Sequence, residues 1–380
     1  MSASSKRNAR SGFATRAIHF GYNKFDYHGA LNPPVFFTST YAFENSMQGT
    51  ERFAGDAEGY IYHRVGNPTV SILEKRLAEL EGAEAGLATS SGMGAITAVF
   101  WTLLKAGDEI IADKTLYGCT FSLLHHHMER FGIKTRFIDM SNPDELTAAI
   151  SQDTKIVYCE TPANPNMRLV DIAAISGICR QHEATFIVDN TYCTPYLQRP
   201  MEMGADIVVH SATKYLGGHG DLLAGAVVSS QEIIDQVRFV GIKEMNGAMI
   251  SSFDAFLILR GLKTLQLRMD RHSQSALQLA RDIENHPAVE KVYYPGLETS
   301  PFHDLACRQM DLFGGMLALE LRGGIEAGRR FMDGLDLVTS AVSLGDAETL
   351  VQHPASMTHS TYEPEEREKH GFTDGLIRIS

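Results

Sequence analysis

Between about residues 70 and 230, short apolar runs rich in β-forming residues alternate with helical stretches, and this alternation constrains the fold most. The predicted strands are Glu84–Thr89, Glu109–Asp113, Lys134–Ile138, Lys155–Glu160, Thr185–Asp189 and Ile207–His210. The predicted helices are Pro68–Glu81, Gly94–Leu104, Thr120–Phe131, Pro143–Ile150 and Ile172–His182. Strands and helices that alternate in this way form a mostly parallel sheet with helices on both faces. The chain is therefore predicted to have an α/β fold.

The pattern changes after about residue 265. A long helical pattern is followed by fewer strands, and the predicted elements are a helix at Lys263–Asn285, strands at Val289–Tyr294 and Met316–Leu321, a helix at Glu326–Gly334 and a final strand at Leu376–Ser380. These elements predict a smaller C-terminal α+β domain. We divide the chain into an N-terminal arm (1–66), a large domain (67–265) and a C-terminal domain (266–380). Because the last residue directly follows an apolar strand, we expect the C-terminus to be truncated.

Charge and cysteine content exclude several classes of protein. A formal net charge of −12 disfavours binding to nucleic acid or to a membrane surface. The five cysteines are scattered and form no CxxC pair, which is typical of reduced thiols in the cytoplasm. The N-terminus is basic but lacks the apolar run of a signal peptide, so we expect a solvated arm, with an organellar presequence as the alternative. We therefore expect a soluble, cytoplasmic protein.

Most common catalytic motifs are absent from the sequence. It contains no phosphate-binding GxxxxGK[ST], no HExxH, no GxSxG and no dinucleotide-binding GxGxxG after a strand. The consecutive residues His125, His126 and His127 would point in three directions on a helix, so they cannot jointly bind one ion. We expect no metal site.

The strongest local signal surrounds Lys214. The predicted strand Ile207–His210 runs into Ser211, Thr213 and Lys214 and then into a glycine-rich turn. A lysine at the end of an apolar strand is costly to bury unless it is neutralised or covalently bonded. Attachment to an aldehyde cofactor achieves both, and the flanking hydroxyls suit a phosphate. The alternative is a strand-end lysine whose amine reaches solvent.

Further residues supply the groups that pyridoxal phosphate requires. Asp189 ends a predicted strand, where its carboxylate can keep a pyridine nitrogen protonated. Gly92 and Met93 lie where a strand gives way to a helix, so their backbone N–H groups can bind a phosphate. Tyr117 offers an aromatic face to a ring, and Asn164 can donate to a ring oxygen. Together these residues favour a pyridoxal-phosphate site over a solvated lysine.

The motif Ser211-Ala-Thr-Lys-Tyr-Leu-Gly-Gly-His219 carries a specific resemblance. Over essentially its whole length, the chain resembles the cystathionine-metabolism family of pyridoxal-phosphate enzymes. The resemblance implies the aspartate-aminotransferase-like fold type I: a large domain with a mostly parallel seven-stranded sheet, and a smaller C-terminal α+β domain. It implies pyridoxal 5′-phosphate as the cofactor, a sulfur amino acid as the substrate, and a homotetramer built from two active dimers. Family members continue for one more helix, which agrees with a truncated C-terminus.

The resemblance also assigns residues around the cofactor. Lys214 matches the lysine that is bonded to the cofactor, Asp189 the partner of its pyridine nitrogen, and Tyr117 the stacking tyrosine. The residues that match phosphate contacts from the same chain are Gly92, Met93, Ser211 and Thr213. Tyr62 and Arg64 match residues that reach the phosphate of a neighbouring subunit, so the N-terminal arm is expected to contact that subunit.

Around the substrate, Arg378 matches the arginine that binds the α-carboxylate, a bidentate role that lysine fills poorly. Ser343 and Asn164 match accessory contacts. Cys119 stands where members that act on methionine carry cysteine, although a small thiol that packs a loop explains it almost as well. Val342 stands where cystathionine-cleaving members carry glutamate, so it favours a short apolar substrate tail.

Lys243, followed by Glu244, matches a lysine–aspartate pair of the methionine-cleaving members, with an acid one methylene longer. The implied reaction is the α,γ-elimination of L-methionine to methanethiol, 2-oxobutanoate and ammonia, with homocysteine and related sulfur amino acids as further substrates. Lys214 is expected to be the base and Tyr117 the acid, with a pKa lowered by Arg64. The alternatives are cystathionine cleavage, O-acetylhomoserine sulfhydrylation and, more remotely, cofactor binding without turnover.

Overall fold

The computed structural model describes residues 11–357 and 373–380. The first ten residues of the predicted arm, and residues 358–372 of the predicted C-terminal domain, lie outside the described residues. Two β-sheets organise the rest of the chain.

The larger sheet has seven strands, most of them parallel. They are β1 (Ala85–Thr89), β2 (Glu109–Asp113), β3 (Lys134–Ile138), β4 (Thr154–Glu160), β5 (Thr185–Asp189), β6 (Ile207–His210) and β7 (Gly225–Ser229). Their order in space is β1-β7-β6-β5-β4-β2-β3, and the five strands β2 to β6 are parallel. Only β7 runs antiparallel to its neighbours β1 and β6. The α/β prediction is confirmed.

Strand β7 is the one strand of this sheet that the sequence patterns did not predict. It is short and follows directly on a glycine-rich turn, so its apolar residues do not stand out as a separate run. Gly225, its first residue, has no room for a side chain, because the carbonyl oxygen of Ser91 lies where a Cβ atom would be. This close approach fixes the turn between β1 and the following helix against the sheet.

Helices cover both faces of the large sheet. The α-helices are α1 (Phe13–His19), α2 (Ser46–Ala54), α3 (Pro68–Glu81), α4 (Gly92–Leu103), α5 (Gly118–Ser122), α6 (Pro143–Ala149), α7 (Ile172–Gln181), α8 (Thr194–Leu197), α9 (Gln231–Gln236), α10 (Ser252–Leu262), α11 (Leu265–Ile283), α12 (His303–Gln309) and α13 (Gly324–Asp333). Val188 of β5 packs in one apolar core with α3 and α7, and the adjacent Ile187 packs in a second core with α4. Alternate strand residues therefore stabilise opposite layers.

Shorter helical turns complete this layer. The 3-10 turns are Lys24–Tyr27, His63–Val65, Met128–Phe131, Pro200–Met203 and Pro354–Ser356, and the π-helical segments are Leu123–His127 and Val237–Asn246. The predicted helix at 120–131 is therefore divided among three short segments. The predicted helix at 263–285 is α11, which starts at Leu265 because α10 ends just before it.

Helix α3 has the bounds that its sequence predicts. The Asn67 side chain accepts hydrogen bonds from the backbone N–H groups of Thr69 and Val70, and Pro68 occupies the first turn. Gly82, at φ 76°, adopts the left-handed conformation that ends the helix. These signals place the last helical residue, Glu81, in the interior of the molecule.

The smaller sheet lies in the C-terminal part of the chain. Its strands are β8 (Val289–Tyr293), β9 (Leu317–Leu321), β10 (Thr339–Ser340), β11 (Leu350–Gln352) and β12 (Leu376–Ile379), in the order β10-β11-β12-β9-β8. Three of them were predicted, and β10 and β11 are too short to produce a clear pattern. The predicted boundary between the domains, near residue 265, stays a prediction.

Across residues 11–357 and 373–380, no helix combines the length and the apolar character needed to cross a membrane. In the same residues, no three His, Cys, Asp or Glu side chains are grouped so that they could hold a metal ion. The Nδ1 atoms of His125 and His126 lie 3.2 Å apart and interact with each other.

Candidate active site

The carboxyl ends of three neighbouring parallel strands bring the predicted site residues together. Glu160 at the end of β4 is in register with Asp189 at the end of β5, and Asp189 is in register with Val209 of β6. The chain leaves β6 through Ser211 and reaches Lys214 three residues later. Ligands of parallel α/β sheets bind at this edge.

Lys214 lies at the centre of this group of residues. Its Nζ atom donates a hydrogen bond of 2.7 Å to the Oγ atom of Ser343. Burial lowers the pKa of Lys214, the positive charge of Arg378 lowers it further, and the carboxylate of Asp346 opposes both effects. The amine therefore loses its proton more easily than an exposed lysine does.

Ser343 connects Lys214 to Arg378. Its backbone has φ 100°, a conformation that is costly for a residue with a side chain. In this conformation its carbonyl oxygen accepts a hydrogen bond of 2.5 Å from Nη2 of Arg378, while its hydroxyl accepts from Lys214. The Nη1 atom of Arg378 lies 3.3 Å from Oδ1 of Asn164. The structure thus brings Asn164, Lys214, Ser343 and Arg378 together, as predicted.

Arg378 is only 5% exposed, and its Nε atom has no hydrogen-bond partner among the described residues. Leaving a buried guanidinium N–H without an acceptor is costly. A carboxylate that binds at this position would accept from it. The predicted role in substrate binding fits this geometry.

Asp189 is held by its own loop. Its Oδ1 atom accepts a hydrogen bond of 2.9 Å from the backbone N–H of Thr191, and the hydroxyl of Tyr158 lies 3.4 Å from Oδ2. Burial raises the pKa of Asp189, and hydrogen bonds from Thr191 and the charge of His210 oppose the rise. A half-buried carboxylate of this kind is stabilised by a cationic partner such as a protonated pyridine nitrogen.

The start of α4 and the end of β6 form a narrow cradle. The Oγ atom of Ser91 caps α4 by accepting from the N–H of Gly94 at 3.0 Å. A Cβ atom on Gly92 would lie 3.0 Å from Cβ of Ser211, so only glycine leaves this space open. Backbone N–H groups at the start of a helix, beside a serine hydroxyl, suit a phosphate group. The predicted phosphate residues fit the cofactor here.

Two other predicted phosphate residues flank the cradle. The Oγ1 atom of Thr213 lies 3.1 Å from the carbonyl oxygen of Ala224, to which it donates, and accepts from the N–H of Ala224 at 3.0 Å. Met93 follows Gly92 in the first turn of α4, and its sulfur lies 3.7 Å from the hydroxyl of Thr120. Thr213 thus anchors the loop that carries Lys214.

Tyr117 and Cys119 lie on the loop after β2 and contact each other. Cys119 Sγ lies 3.4 Å from the hydroxyl of Tyr117, and Oε1 of Glu160 accepts from the Tyr117 backbone N–H at 2.7 Å. The hydrogen bond with Cys119, burial, and the charges of Cys119 and Glu160 raise the pKa of Tyr117 to about 12. Within one chain this direction is opposite to the lowering expected from Arg64.

The remaining predicted residues lie elsewhere on the surface of the chain. Arg64 Nη1 donates a hydrogen bond of 2.6 Å to the carbonyl oxygen of Lys243, and its guanidinium lies 5.7 Å from the centre of the Tyr62 ring. The Nζ atom of Lys243 is 3.7 Å from Glu244. These residues form a cluster of their own. Val342 is exposed and precedes Ser343 in sequence.

Sequence reasoning missed Glu160, which holds the backbone of Tyr117 in place. Burial and the charge of Asp189 raise the pKa of Glu160 well above its ordinary value. A signal for it was present, since Glu160 ends β4 in the same way that Asp189 ends β5. Thr191 was missed as well, although its Oγ1 atom accepts from the N–H of Ser211 at 2.8 Å.

Comparison with known proteins adds a decisive observation. A family model described as Cys/Met metabolism PLP-dependent enzyme matches residues 14–380. The chain belongs to this family. It therefore uses pyridoxal 5′-phosphate, and the predicted cofactor, fold type and family resemblance are confirmed. The assignments of individual site residues stay predictions.

Individual relatives are similar over nearly the whole chain. The L-methionine gamma-lyase of Pseudomonas deceptionensis is 59% identical, covering 97% of this chain and 93% of that protein. The L-methionine gamma-lyase of Pseudomonas putida is 57% identical, covering 98% and 94%. A solved structure of cystathionine gamma synthase from Xanthomonas oryzae pv. oryzae, with aminoacrylate and cysteine, is 40% identical with a TM-score of 0.91, covering 97% and 93%.

Proposed function

We propose that this enzyme is a carbon–sulfur lyase that converts L-methionine to methanethiol, 2-oxobutanoate and ammonia by α,γ-elimination. The observation that carries the proposal is the high identity, 59% and 57% over nearly the full length, to two proteins named L-methionine gamma-lyase. The cystathionine gamma synthase with the same fold is only 40% identical. Homocysteine and related sulfur amino acids are further proposed substrates.

The proposed cofactor contacts divide among three parts of the site. Gly92, Met93, Ser211 and Thr213 hold the phosphate in the cradle, with Tyr117 against the ring. Asp189 holds the pyridine nitrogen, and Asn164 lies beside a ring oxygen. Bound pyridoxal phosphate supplies an aldehyde that bonds to amino groups and a ring that withdraws electrons.

Lys214 is the proposed general base. In a neutral state, its Nζ atom can take the proton from Cα of the substrate, and the lowered pKa makes that state accessible. The hydroxyl of Ser343, 2.7 Å away, orients the amine. The Nζ atom of Lys214 is also proposed to return the proton later to another carbon of the substrate.

Arg378 is the proposed site for the substrate α-carboxylate. Its guanidinium is already fixed by the carbonyl of Ser343 and by Asn164, so it does not reorganise when the substrate arrives. The buried Nε–H supplies a donor for one carboxylate oxygen. Arg378 and Ser343 thus place Cα of the substrate near Lys214.

Tyr117 is the proposed acid that protonates the sulfur of the leaving thiolate. A phenol with a pKa of about 12 keeps its proton but gives it up reluctantly. We propose that Arg64 of a neighbouring subunit lowers this pKa in the assembled enzyme, with Tyr62 beside it at the phosphate. Cys119, in contact with the Tyr117 hydroxyl, is proposed to assist in orienting it.

The proposed assembly is a homotetramer of two active dimers, and its proposed location is the cytoplasm. The five cysteines support the location, because all of them are free. Lys243 is proposed to contribute to substrate binding through its backbone carbonyl oxygen, which accepts a hydrogen bond from Arg64. Val342, exposed beside Ser343, suits the methyl thioether of methionine.

A comparison of substrates tests this proposal. Methionine, cystathionine and O-acetylhomoserine are each incubated with the enzyme, and 2-oxobutanoate and methanethiol are measured together. We expect methionine to give both products in equal amounts and the highest kcat/KM for elimination. Faster release of 2-oxobutanoate from cystathionine would make the enzyme a cystathionine γ-lyase. Efficient replacement of the acetyl group by sulfide would make it a sulfhydrylase.

A further inference from the structure

Glu81 is a carboxylate at the end of α3 that is only 1% exposed. A buried charge of this kind needs hydrogen-bond donors. Its Oε1 atom has two, the Nε2 atom of His210 at 2.6 Å and the Nδ2 atom of Asn190 at 2.8 Å. Because a carboxylate only accepts, Nε2 of His210 carries the hydrogen.

Both partners adjoin residues of the proposed cofactor site. Asn190 directly follows Asp189, and His210 directly precedes Ser211. The register of β5 and β6 ends at Asp189, and two hydrogen bonds continue beyond it: the N–H of Asn190 donates to the carbonyl oxygen of Val209 at 3.0 Å, and the N–H of Ser211 donates to Oγ1 of Thr191 at 2.8 Å. One oxygen atom of Glu81 adds a buried side-chain link between the two strand ends, beside these two hydrogen bonds.

Asn190 connects Glu81 to further buried side chains by hydrogen bonds. Its Oδ1 atom accepts from Nε2 of Gln198 at 3.0 Å, and Oε1 of Gln198 accepts from Nε2 of Gln309 at 3.0 Å. Gln198 also donates to the carbonyl oxygen of Thr161, just after β4, at 3.0 Å. All of these side chains are 7% exposed or less. These hydrogen bonds join the side chains into one buried network, in which Oε2 of Glu81 and Nδ1 of His210 have no partner among the described residues.

We propose that Glu81 is a positioning residue for the cofactor, which fixes Asp189 relative to Ser211 by holding Asn190 and His210. Glu81 itself touches neither cofactor nor substrate. The inference rests on the proposed roles of Asp189 and Ser211 and adds a buried contact that contributes to the distance between them. It predicts that cofactor binding depends on a side chain buried behind the site.

The charge of His210 supports the same conclusion. It opposes the rise that burial causes in the pKa of Asp189. Glu81 holds the imidazole ring in the position where this effect operates. Loss of Glu81 would remove one hydrogen-bond partner from the imidazole ring and one from the amide of Asn190.

The test measures the dissociation constant of pyridoxal phosphate by titration of cofactor-depleted enzyme, together with kcat, KM and the visible spectrum of the holoenzyme. For Glu81→Ala we expect binding to weaken about tenfold or more, as when residues that support a binding site are lost. We expect kcat to decrease by a larger factor than the factor by which KM changes. Glu81→Gln should lie between this variant and the wild type, because its amide oxygen can still accept.

Glu74 provides the matched control. It is a second buried carboxylate on α3, 5% exposed, which binds Arg238 at 2.9 Å and the N–H of Ala88 at 3.0 Å. Glu74→Ala should lower the melting temperature while leaving the dissociation constant within about twofold of wild type. Equal weakening of cofactor binding in both variants, or wild-type binding in Glu81→Ala, overturns the proposal.

Two further variants keep the test decisive. If Glu81→Ala does not fold, Asn190→Ala replaces it, and unchanged cofactor affinity in that variant contradicts the proposal. Asp189→Ala separates this inference from the proposed function. If it leaves cofactor affinity unchanged, the proposed site itself is wrong. If it weakens binding while Glu81→Ala does not, only the positioning role is wrong.

Discussion

Two regions of the molecule carry proposed active-site residues, and they differ in how they are partnered. At the ends of β4 to β6, Glu160, Asp189 and Lys214 are hydrogen-bonded by residues of their own chain. The N-terminal arm, which carries Tyr62 and Arg64, and residues 237–253, which Arg64 contacts at Lys243, instead expose many large apolar side chains. Those that are more than 40% exposed include Phe25, Leu31, Phe37, Met47, Phe53, Tyr62, Phe239, Met245 and Phe253.

The difference indicates which half of the site a single chain can build. Exposed apolar side chains in this number are typical of a surface that another protein covers. Some of them already pack in pairs, such as Phe37 with Phe253, whose ring centres are 6.3 Å apart. Glu160, Asp189 and Lys214 thus have partners within one chain, and the exposed surface that includes Tyr62 agrees with the proposal that Tyr62 and Arg64 serve a neighbouring copy.

The largest expected effect is that of Lys214→Ala. Loss of a positioned general base reduces rates by about 10²–10⁴-fold, and loss of the cofactor attachment adds to this. The measurement is 2-oxobutanoate formation from methionine at saturating pyridoxal phosphate. Lys263, a half-buried lysine whose Nζ atom donates to Oδ1 of Asn32, gives the control Lys263→Ala, which should retain wild-type activity. Wild-type turnover by Lys214→Ala would mean that this region is not the site.

A mixing experiment addresses the second region directly. Arg64→Ala should be nearly inactive by itself, because it deprives a neighbouring site of its charge. When it is unfolded and refolded together with Lys214→Ala in equal amounts, half of the dimers are mixed and each mixed dimer has one intact site. We expect recovery of about a quarter of wild-type activity. No recovery, with mixed dimers shown by mass, would place Arg64 in its own chain's site.

A smaller effect is expected for Arg378→Lys. Lysine keeps the charge but cannot form the paired hydrogen bonds, so roughly 1.5–3 kcal/mol of binding is lost, or about ten- to a hundredfold in kcat/KM. We expect the loss mainly in KM for methionine, with cofactor affinity unchanged. A variant that binds pyridoxal phosphate poorly but keeps its KM would show that Arg378 supports the cofactor instead.

The smallest effect is a pair of opposite pKa shifts in the cofactor-free protein. Arg378 lowers the pKa of Lys214 and Asp346 raises it. Arg378→Gln should therefore raise this pKa, and Asp346→Asn should lower it further. The pH dependence of labelling of Lys214 Nζ by an amine reagent, followed on the modified peptide, should move to higher pH in the first variant and to lower pH in the second. Shifts in the same direction would contradict the assigned contacts.

Local patterns predicted most of the large sheet and the cofactor residues. Helix α3 and strands β2, β3, β5 and β6 have their predicted bounds, because apolar periodicity, Asn67, Pro68 and Gly82 all act within a few residues. Lys214 and Asp189 were identifiable from the sequence because a charged residue at the end of an apolar strand is costly to bury unless it has a partner.

Long-range pairing accounts for what the sequence did not reveal. Glu81 and His210 are 129 positions apart, and neither is unusual in its own segment. Lys214 and Ser343 are also 129 positions apart, and only the family resemblance predicted that they share a site. The short strand β11 pairs with β12, and β10 pairs only with β11, so both depend on partners distant from their own segment.

The backbone of Ser343 has a consequence for anyone who redesigns this enzyme. At φ 100° a β-branched residue is strongly disfavoured, and glycine would gain freedom but lose the hydroxyl that meets Lys214. A library that randomises this loop to change substrate range would therefore lose most of its members at position 343. Variation at Val342, which is 56% exposed, leaves that constraint intact and tests the proposed contact with the substrate tail instead.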